Sequence, residues 1–333
     1  CIYIDPPFNT EQAFEHYDDN LEHSIWLSTL YPRFELLYEL LRLDGTIFVH
    51  IDDNQLGYLI VMLDEIFGRE NRISIVTFKQ GAPTGHKAIN PGMVTITNYI
   101  LVYAKNKGNW KPQRLFTGRE RDNRYSTFIV NIDEEYSKWI TVTLSSAFSD
   151  FMGKPVKLLK KEYGESYEDK LNEFVLNNSN RIIRTARPDY ENVGNNVREA
   201  IDFSKTQPDK VVLLKREKYS DMYFKNGERW LFYSDKVKEV DGVQVAGEPL
   251  TNLWDDLLSN NLHNEGAVNF PKGKKPEGLI KRVFELVTDQ SDIVLDSFLG
   301  SGTTAAVAHK MGRRYIGIEM GDHAITHCAP RLK

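Results

Sequence analysis

Asp296-Ser297-Phe298-Leu299-Gly300-Ser301-Gly302-Thr303-Thr304 decides the fold: the apolar run 293–296 enters a glycine-rich turn and then a helix over about 303–311. Glycines let the backbone approach a ligand closely. The next strand, 315–319, ends on Glu319, placed to hydrogen-bond ribose hydroxyls at the carboxyl end of a parallel sheet. That pattern fits an adenosine-containing ligand. A nicotinamide cofactor is the rival, because Gly300, Gly302 and Ala305 fit G-x-G-x-x-A; yet only 31 residues follow Gly302, too few for the rest of a dinucleotide fold unless the chain is permuted. No Gly-Lys-Ser/Thr follows the glycines, which excludes a P-loop. A purely structural turn is the plain alternative.

At the other end of the chain, Asp5-Pro6-Pro7-Phe8 follows the short apolar run Ile2-Tyr3-Ile4. The end of such a strand is where open α/β sheets place their ligands. The Asp5 carboxylate and the Pro6 carbonyl are two acceptors able to hold both hydrogens of an amine on a flipped-out base, and Phe8 offers a face for stacking. Consecutive prolines keep that backbone extended and rigid. A rigid turn after a strand is the simpler explanation. His50 and His86 have no second ligand at metal spacing and read as structural or surface residues.

Between the two motifs runs an α/β rhythm. Leu27, Leu30, Phe34, Leu37 and Leu41 recur at helical spacing, with Pro32 expected in the early turns or at a bend; Asp44-Gly45 precede the strand 46–51. A second helix is expected over 54–67, stopped by Gly68, and then paired strands over 73–78 and 99–103 around a mobile loop, 81–92. From 106 to 250 the pattern loosens into short segments with hairpin signals at Asn226-Gly227 and Asp241-Gly242. Tyr219, Tyr223 and Trp230 read as a small core there. The helix 278–287 restores the rhythm. The expectation is an α/β chain interrupted once: a catalytic half at 1–105, an inserted α+β domain at 106–250 and a ligand-binding half at 251–333.

Composition is that of an ordinary globular chain of 333 residues, with 41% hydrophobic residues and no apolar run long enough to span a bilayer. The only cysteines, Cys1 and Cys328, allow one bridge at most, and nothing at the N-terminus resembles an export signal, so a reducing cytoplasm fits. Net charge is −5, which argues against nucleic acid until its distribution is read. Residues 1–70 carry 14 acids and 3 bases, leaving +6 elsewhere. Basic clusters lie at 105–124, 154–161 and 272–282, the first interleaved with Trp110, Phe116 and Tyr125. Solvated helix faces would look the same.

Taken together, the motifs and their order resemble the β-class of DNA amino-methyltransferases, in which the Asp-Pro-Pro-aromatic motif precedes a target-recognition region and the methyl-donor motif comes last. Closer still is the resemblance to the methylation (Mod) subunits of type III restriction-modification systems and their solitary relatives. It is carried by residues 2–10, 45–53, Asn98-Tyr99-Ile100-Leu101-Val102-Tyr103, Asn252-Leu253-Trp254-Asp255-Asp256, Lys275-Pro276 and 296–304. The resemblance implies a permuted Rossmann-like methyltransferase sheet, mostly parallel with an antiparallel strand pair, plus an inserted recognition domain. It implies Asp5, Pro6, Pro7 and Phe8 as catalytic residues. It implies Lys275, Pro276, Asp296, Phe298, Gly300, Ser301, Gly302, Thr303 and Glu319 as binding residues for S-adenosylmethionine, with no metal needed for transfer.

The implied reaction is methylation of N6 of adenine in double-stranded DNA, since cytosine-N4 members more often carry Ser where Asp5 stands. N4-cytosine, RNA or a protein amine are the alternatives; a homodimer and a restriction subunit are implied partners. Asp52 and Asp53 are either site-edge acids or helix N-terminal acids favoured by the dipole. The chain enters a strand almost at once, and the family's third strand and an acidic adenine-holding motif lie upstream of the catalytic motif. A longer protein is therefore expected, with tighter binding of S-adenosylmethionine than this chain alone shows.

Overall fold

In the computed structural model the described residues are 1–9, 21–83, 92–258, 262–268, 270 and 273–333. His86, Lys272 and most of the loop 81–92 lie outside them. The chain forms two compact units, Cys1–Leu115 with Thr251–Lys333, and Phe116–Leu250.

The first unit is built on a seven-stranded sheet. Its principal elements are β1 (Ile2–Ile4), α1 (His23–Leu40), β2 (Thr46–Ile51), α2 (Leu56–Phe67), β3 (Arg72–Lys79), β4 (Thr97–Ala104), β5 (Leu253–Trp254), α3 (Glu277–Val287), β6 (Ile293–Asp296), α4 (Thr303–Lys310) and β7 (Arg314–Gly317). The strand order is β5-β3-β4-β2-β1-β6-β7. β1 therefore lies between a strand that follows it directly and one from the far end of the chain. Its pairings with β2 and β6 are parallel, as are β6 with β7 and β5 with β3. β4 runs antiparallel to both β3 and β2, so the expected antiparallel pair is one strand reversed against two neighbours. From β1 the chain steps outward to β2, and from β6 outward the other way to β7. The two motifs consequently meet where the strand order switches direction, the place such sheets reserve for ligands.

Alternation along the central strands explains the layers. Ile2 and Ile4 of β1, with Ile47, Val49 and Ile51 of β2, face one core with α1 and α2, while Tyr3 and His50 turn to the opposite face. On α1 the buried positions are Trp26, Leu30, Phe34 and Leu37, at the four-four-three spacing of one helical stripe. The helix starts at His23, earlier than its leucine pattern indicates, and Trp26 rather than Leu27 opens the buried face. Pro32 sits midway along α1, not in its first turns. It is exposed, so the missing N–H faces water.

In the second unit all strand pairings are antiparallel, in a six-stranded and a three-stranded sheet. Four helices, Leu144–Met152, Val156–Tyr163, Tyr167–Asn177 and Asn195–Thr206, complete an α+β unit. Ile182 and its neighbour Ile183 enter different apolar clusters, one with Phe148 and Phe174, the other with Trp230 and Val211. Tyr223 packs on the Trp230 cluster, but Tyr219 is 72% exposed and instead lies against Arg216. Both hairpin signals form two-residue turns with positive φ: Asn226 (48°) with Gly227 (80°), and Asp241 (52°) with Gly242 (77°). A Cβ at Gly242 meets nothing within 4 Å, so its cost there is backbone strain alone. Gly242→Ala is expected to lower stability by about 1–2 kcal/mol, read from the urea midpoint; an unchanged midpoint contradicts this.

Candidate active site

Asp5 stands one residue beyond β1 and is held from the far end of the chain. Its Oδ2 accepts from the Lys275 ammonium, 270 residues away in sequence. Its Oδ1 is buried and has no partner among the described residues. Burial pushes the Asp5 carboxyl up from its ordinary range, and the Lys275 charge and hydrogen bond oppose that rise. Behind it, the Trp26 indole donates to the Pro7 carbonyl at 2.9 Å. Asn9, in the left-handed region at φ 57°, makes a two-way pair with the Leu21 backbone at 2.8 and 3.0 Å. These contacts fix the motif's exit.

Phe8 lies over His50, ring centroids 5.9 Å apart and planes 18° apart, with the Lys275 ammonium 5.1 Å from its centroid. His50 is fully buried between Tyr3 Oη at 3.0 Å and Asn98 Nδ2 at 3.2 Å. Burial holds it well below the usual imidazole range, with Lys275 adding to the effect, so it is a neutral structural ring. Asn98 in turn donates to Gln80 at 2.9 Å.

Across the switch point, Asp296 ends β6 and accepts from the Phe298 backbone N–H at 2.9 Å. Burial is the main cause pushing its carboxyl up to about 7. Gly300 (φ 54°) and Gly302 (φ 79°) make the turn, and a Cβ on Gly302 would stand 3.1 Å from the backbone of Cys328. Glu319 binds the turn: one carboxylate oxygen accepts from Gly300 N–H at 2.7 Å, the other from Met320 and Gly321 N–H at 2.8 and 3.1 Å. His323 Nε2 is 3.1 Å from the same oxygen as those last two. Glu319 thus shapes the turn, a role its position at a strand end did not reveal. Ser301 and Thr303 hydroxyls pair at 3.1 Å at the head of α4.

Both motifs line one cleft of about 650 Å³, in the range of small-molecule sites. Asp5, Pro6, Pro7, Phe8, Lys275, Asp296, Phe298, Gly300, Ser301, Thr303 and Glu319 are on its wall; Pro276 and Gly302 are not. Pro276 is buried at the start of α3, and Gly302 caps α4. Asp52 and Asp53 also reach the wall, Asp52 with its carboxylate turned to Asn54 at 2.8 Å. Tyr3, Gln80 and Asn98 line it too. Sequence reasoning gave them no role; Asn98, a polar residue entering an apolar strand, was the one available signal. Among the described residues no cluster of His, Cys, Asp and Glu suits a metal ion, both cysteines are free, and no helix is long and apolar enough to cross a membrane.

A buried unpaired carboxylate oxygen, an aromatic face and a glycine turn around a carboxylate fit an amine-bearing ring and an adenosine-containing donor in one cleft. Comparison with known proteins agrees. The probable type III restriction-modification enzyme HindVI Mod subunit of Haemophilus influenzae is 32% identical over 100% of this chain and 47% of its own length. The EcoP15I Mod subunit of Escherichia coli is 27% identical over 94% of this chain and 52% of its own. The chain thus spans about half the length of the curated relatives it matches. The crystal structure of the M1.HpyAVI-SAM complex covers all of the chain and 87% of its own at 15% identity, with a TM-score of 0.44, too slight to carry weight. A family profile described as DNA methylase matches residues 1–329. On that match across nearly its whole length, the chain belongs to the DNA methylase family.

Proposed function

We propose that this chain transfers a methyl group from S-adenosylmethionine to N6 of an adenine flipped out of duplex DNA. The observation that carries the proposal is Asp5 Oδ1, buried and unpartnered on a cleft it shares with the glycine turn. S-adenosylmethionine, when bound, supplies an electrophilic methyl on a sulfonium that departs as a neutral thioether. Gly300, Ser301, Thr303 and the turn shaped by Glu319 hold its adenosine; Phe298 and Asp296 flank it. Asp5 Oδ1 and the Pro6 carbonyl hold the two amine hydrogens, so the nitrogen pyramidalises and its lone pair becomes available. The proton released as the N–C bond forms passes to Asp5 and on to water. The remaining work is positioning and exclusion of water.

Adenine is favoured over cytosine because the acid at position 5 is Asp. The second unit reads the DNA sequence. It holds 22 basic and 23 acidic residues, so its grip comes from local clusters such as the exposed Lys157, Lys160 and Lys161 rather than from net charge. A restriction subunit is the partner proposed from the kinship to Mod subunits.

Phe8→Ala should remove about 1–3 kcal/mol of base stacking, read as a fall in kcat/KM that Phe8→Tyr restores. No fall would remove Phe8 from the site. The function itself is tested by incubating the chain with methyl-labelled S-adenosylmethionine and unmethylated genomic DNA, then separating nucleosides. N6-methyladenine is expected. N4-methylcytosine would correct the base, and label on RNA or protein but not on DNA would overturn the substrate.

A further inference from the structure

Lys275 enters the cleft from the chain just before α3, while Asp5 and Phe8 follow β1. Its ammonium touches both: it pairs with Asp5 Oδ2 and stands over the Phe8 ring. The side chain is 13% exposed and that of Asp5 21%, so water screens the pair little. A carboxylate with one oxygen gripped by a fixed cation cannot rotate freely. The oxygen left over, Oδ1, is the buried one without a partner.

We propose that Lys275 is a positioning residue of the catalytic motif: by holding Asp5 Oδ2 it turns Oδ1 toward the base and keeps the carboxylate charged in a buried site. This inference rests on the function proposed above and deepens it. Tyr3 on β1 and Asp296 on β6 are the ionisable neighbours across which the Asp5 charge acts, and His50 on β2 is a neutral ring. Neither Asp296 nor Tyr3 offers a positive charge. Lys275 is the cation that faces Asp5 among the described residues. Without it, burial favours protonated Asp5, which loses an acceptor for the amine hydrogen. The same ammonium makes a cation–π contact with the Phe8 ring, so its loss also removes one of the contacts that set that ring, the His50 stack remaining.

The sign is fixed by these charges. Asp5 works ionised, so activity is present above its pKa and lost as pH falls through it. Removing Lys275 raises that pKa and moves the acid limb of the pH–rate profile to higher pH, by about 1–3 pH units. Lys275→Met and Lys275→Gln are the neutral variants, the second keeping a polar chain should the first not fold, and Lys275→Arg is the rescue. The direct readout is the carboxyl carbon of Asp5 in protein labelled at aspartate side chains, assigned with Asp5→Asn and titrated by NMR. The expected result is an upward-shifted titration in both neutral variants, restored by arginine, with the pH–rate limb moving in parallel. Identical Asp5 titration in wild type and a folded neutral variant overturns the proposal. The carboxyl titration needs no turnover: if it shifts while wild type methylates no DNA, the proposed function fails and the positioning role stands.

Discussion

Asp5→Ala is expected to lower kcat for methyl transfer by about 10³-fold, with binding of S-adenosylmethionine retained. The expectation follows from where the two acceptors stand. An aniline-like amine is a poor nucleophile because its lone pair is spread into the ring, and the Pro6 carbonyl alone can hold only one of its hydrogens. Alanine removes the buried Oδ1 and also strands the Lys275 ammonium, leaving a cation where the amine must become more electron-rich. Single-turnover rates with saturating DNA isolate the chemical step, and calorimetry gives donor affinity separately. A variant that still transfers within about tenfold of wild type would show that positioning alone drives the reaction. The same geometry gives the wild-type pH dependence. Because burial raises the Asp5 pKa, the acid limb lies above the ordinary aspartate range, with activity falling as pH drops through it.

Glu319→Ala carries the second large effect, and it falls on donor binding. The Glu319 carboxylate satisfies three backbone donors, at Gly300, Met320 and Gly321, and so ties the turn after β6 to the segment after β7. The part-buried N–H groups of Gly300 and Gly321 lose their acceptor, at up to about 1–3 kcal/mol each, and the turn must then be ordered by the ligand. Affinity for S-adenosylmethionine should fall about 100-fold, accompanied by a lower melting temperature. A carboxylate offers about four acceptor sites, so the three backbone bonds leave room for one ribose hydroxyl as well. Glu319→Gln, which keeps one acceptor oxygen, should fall between. Wild-type affinity in Glu319→Ala would mean that neither the turn nor the ribose depends on this residue.

The layout of the sheet could be read from the chain because its signals are local. Alternating or continuous apolar runs mark β1, β2, β4 and β6, a three-four spacing marks α1 and α2, and Asn-Gly or Asp-Gly marks both hairpins of the second unit. β5 could not be read this way: two residues, Leu253 and Trp254, show no period and become a strand only by pairing with Thr77 and Phe78. Trp26 escaped notice for a related reason, since no turn residue announces the start of α1 at His23. Its indole bond to Pro7 is a tertiary fact.

The two motifs that share the cleft were legible because each is a distinctive set of residue types beside a strand end. The contacts that tune them were not. Lys275 and Asp5 are 270 positions apart, and the family resemblance, which set Lys275 beside the methyl donor, did not reveal that it grips the acid. Glu319 likewise read as a ribose ligand from its place after a strand, whereas its bonds run largely to its own turn. Tyr219 shows the reverse error, an aromatic assigned to a core that its loop position keeps in solvent.

The central claim is that one cleft brings the methyl donor and a flipped adenine together over Asp5. The most direct measurement is a crystal structure of the chain with duplex DNA and a non-transferable analogue of S-adenosylmethionine. The account predicts the analogue's adenosine against the turn 296–304, and an adenine amine donating to Asp5 Oδ1 with its nitrogen about 3–3.5 Å from the position of the transferable methyl. An analogue seated elsewhere, or a base whose amine lies away from Asp5, would contradict it.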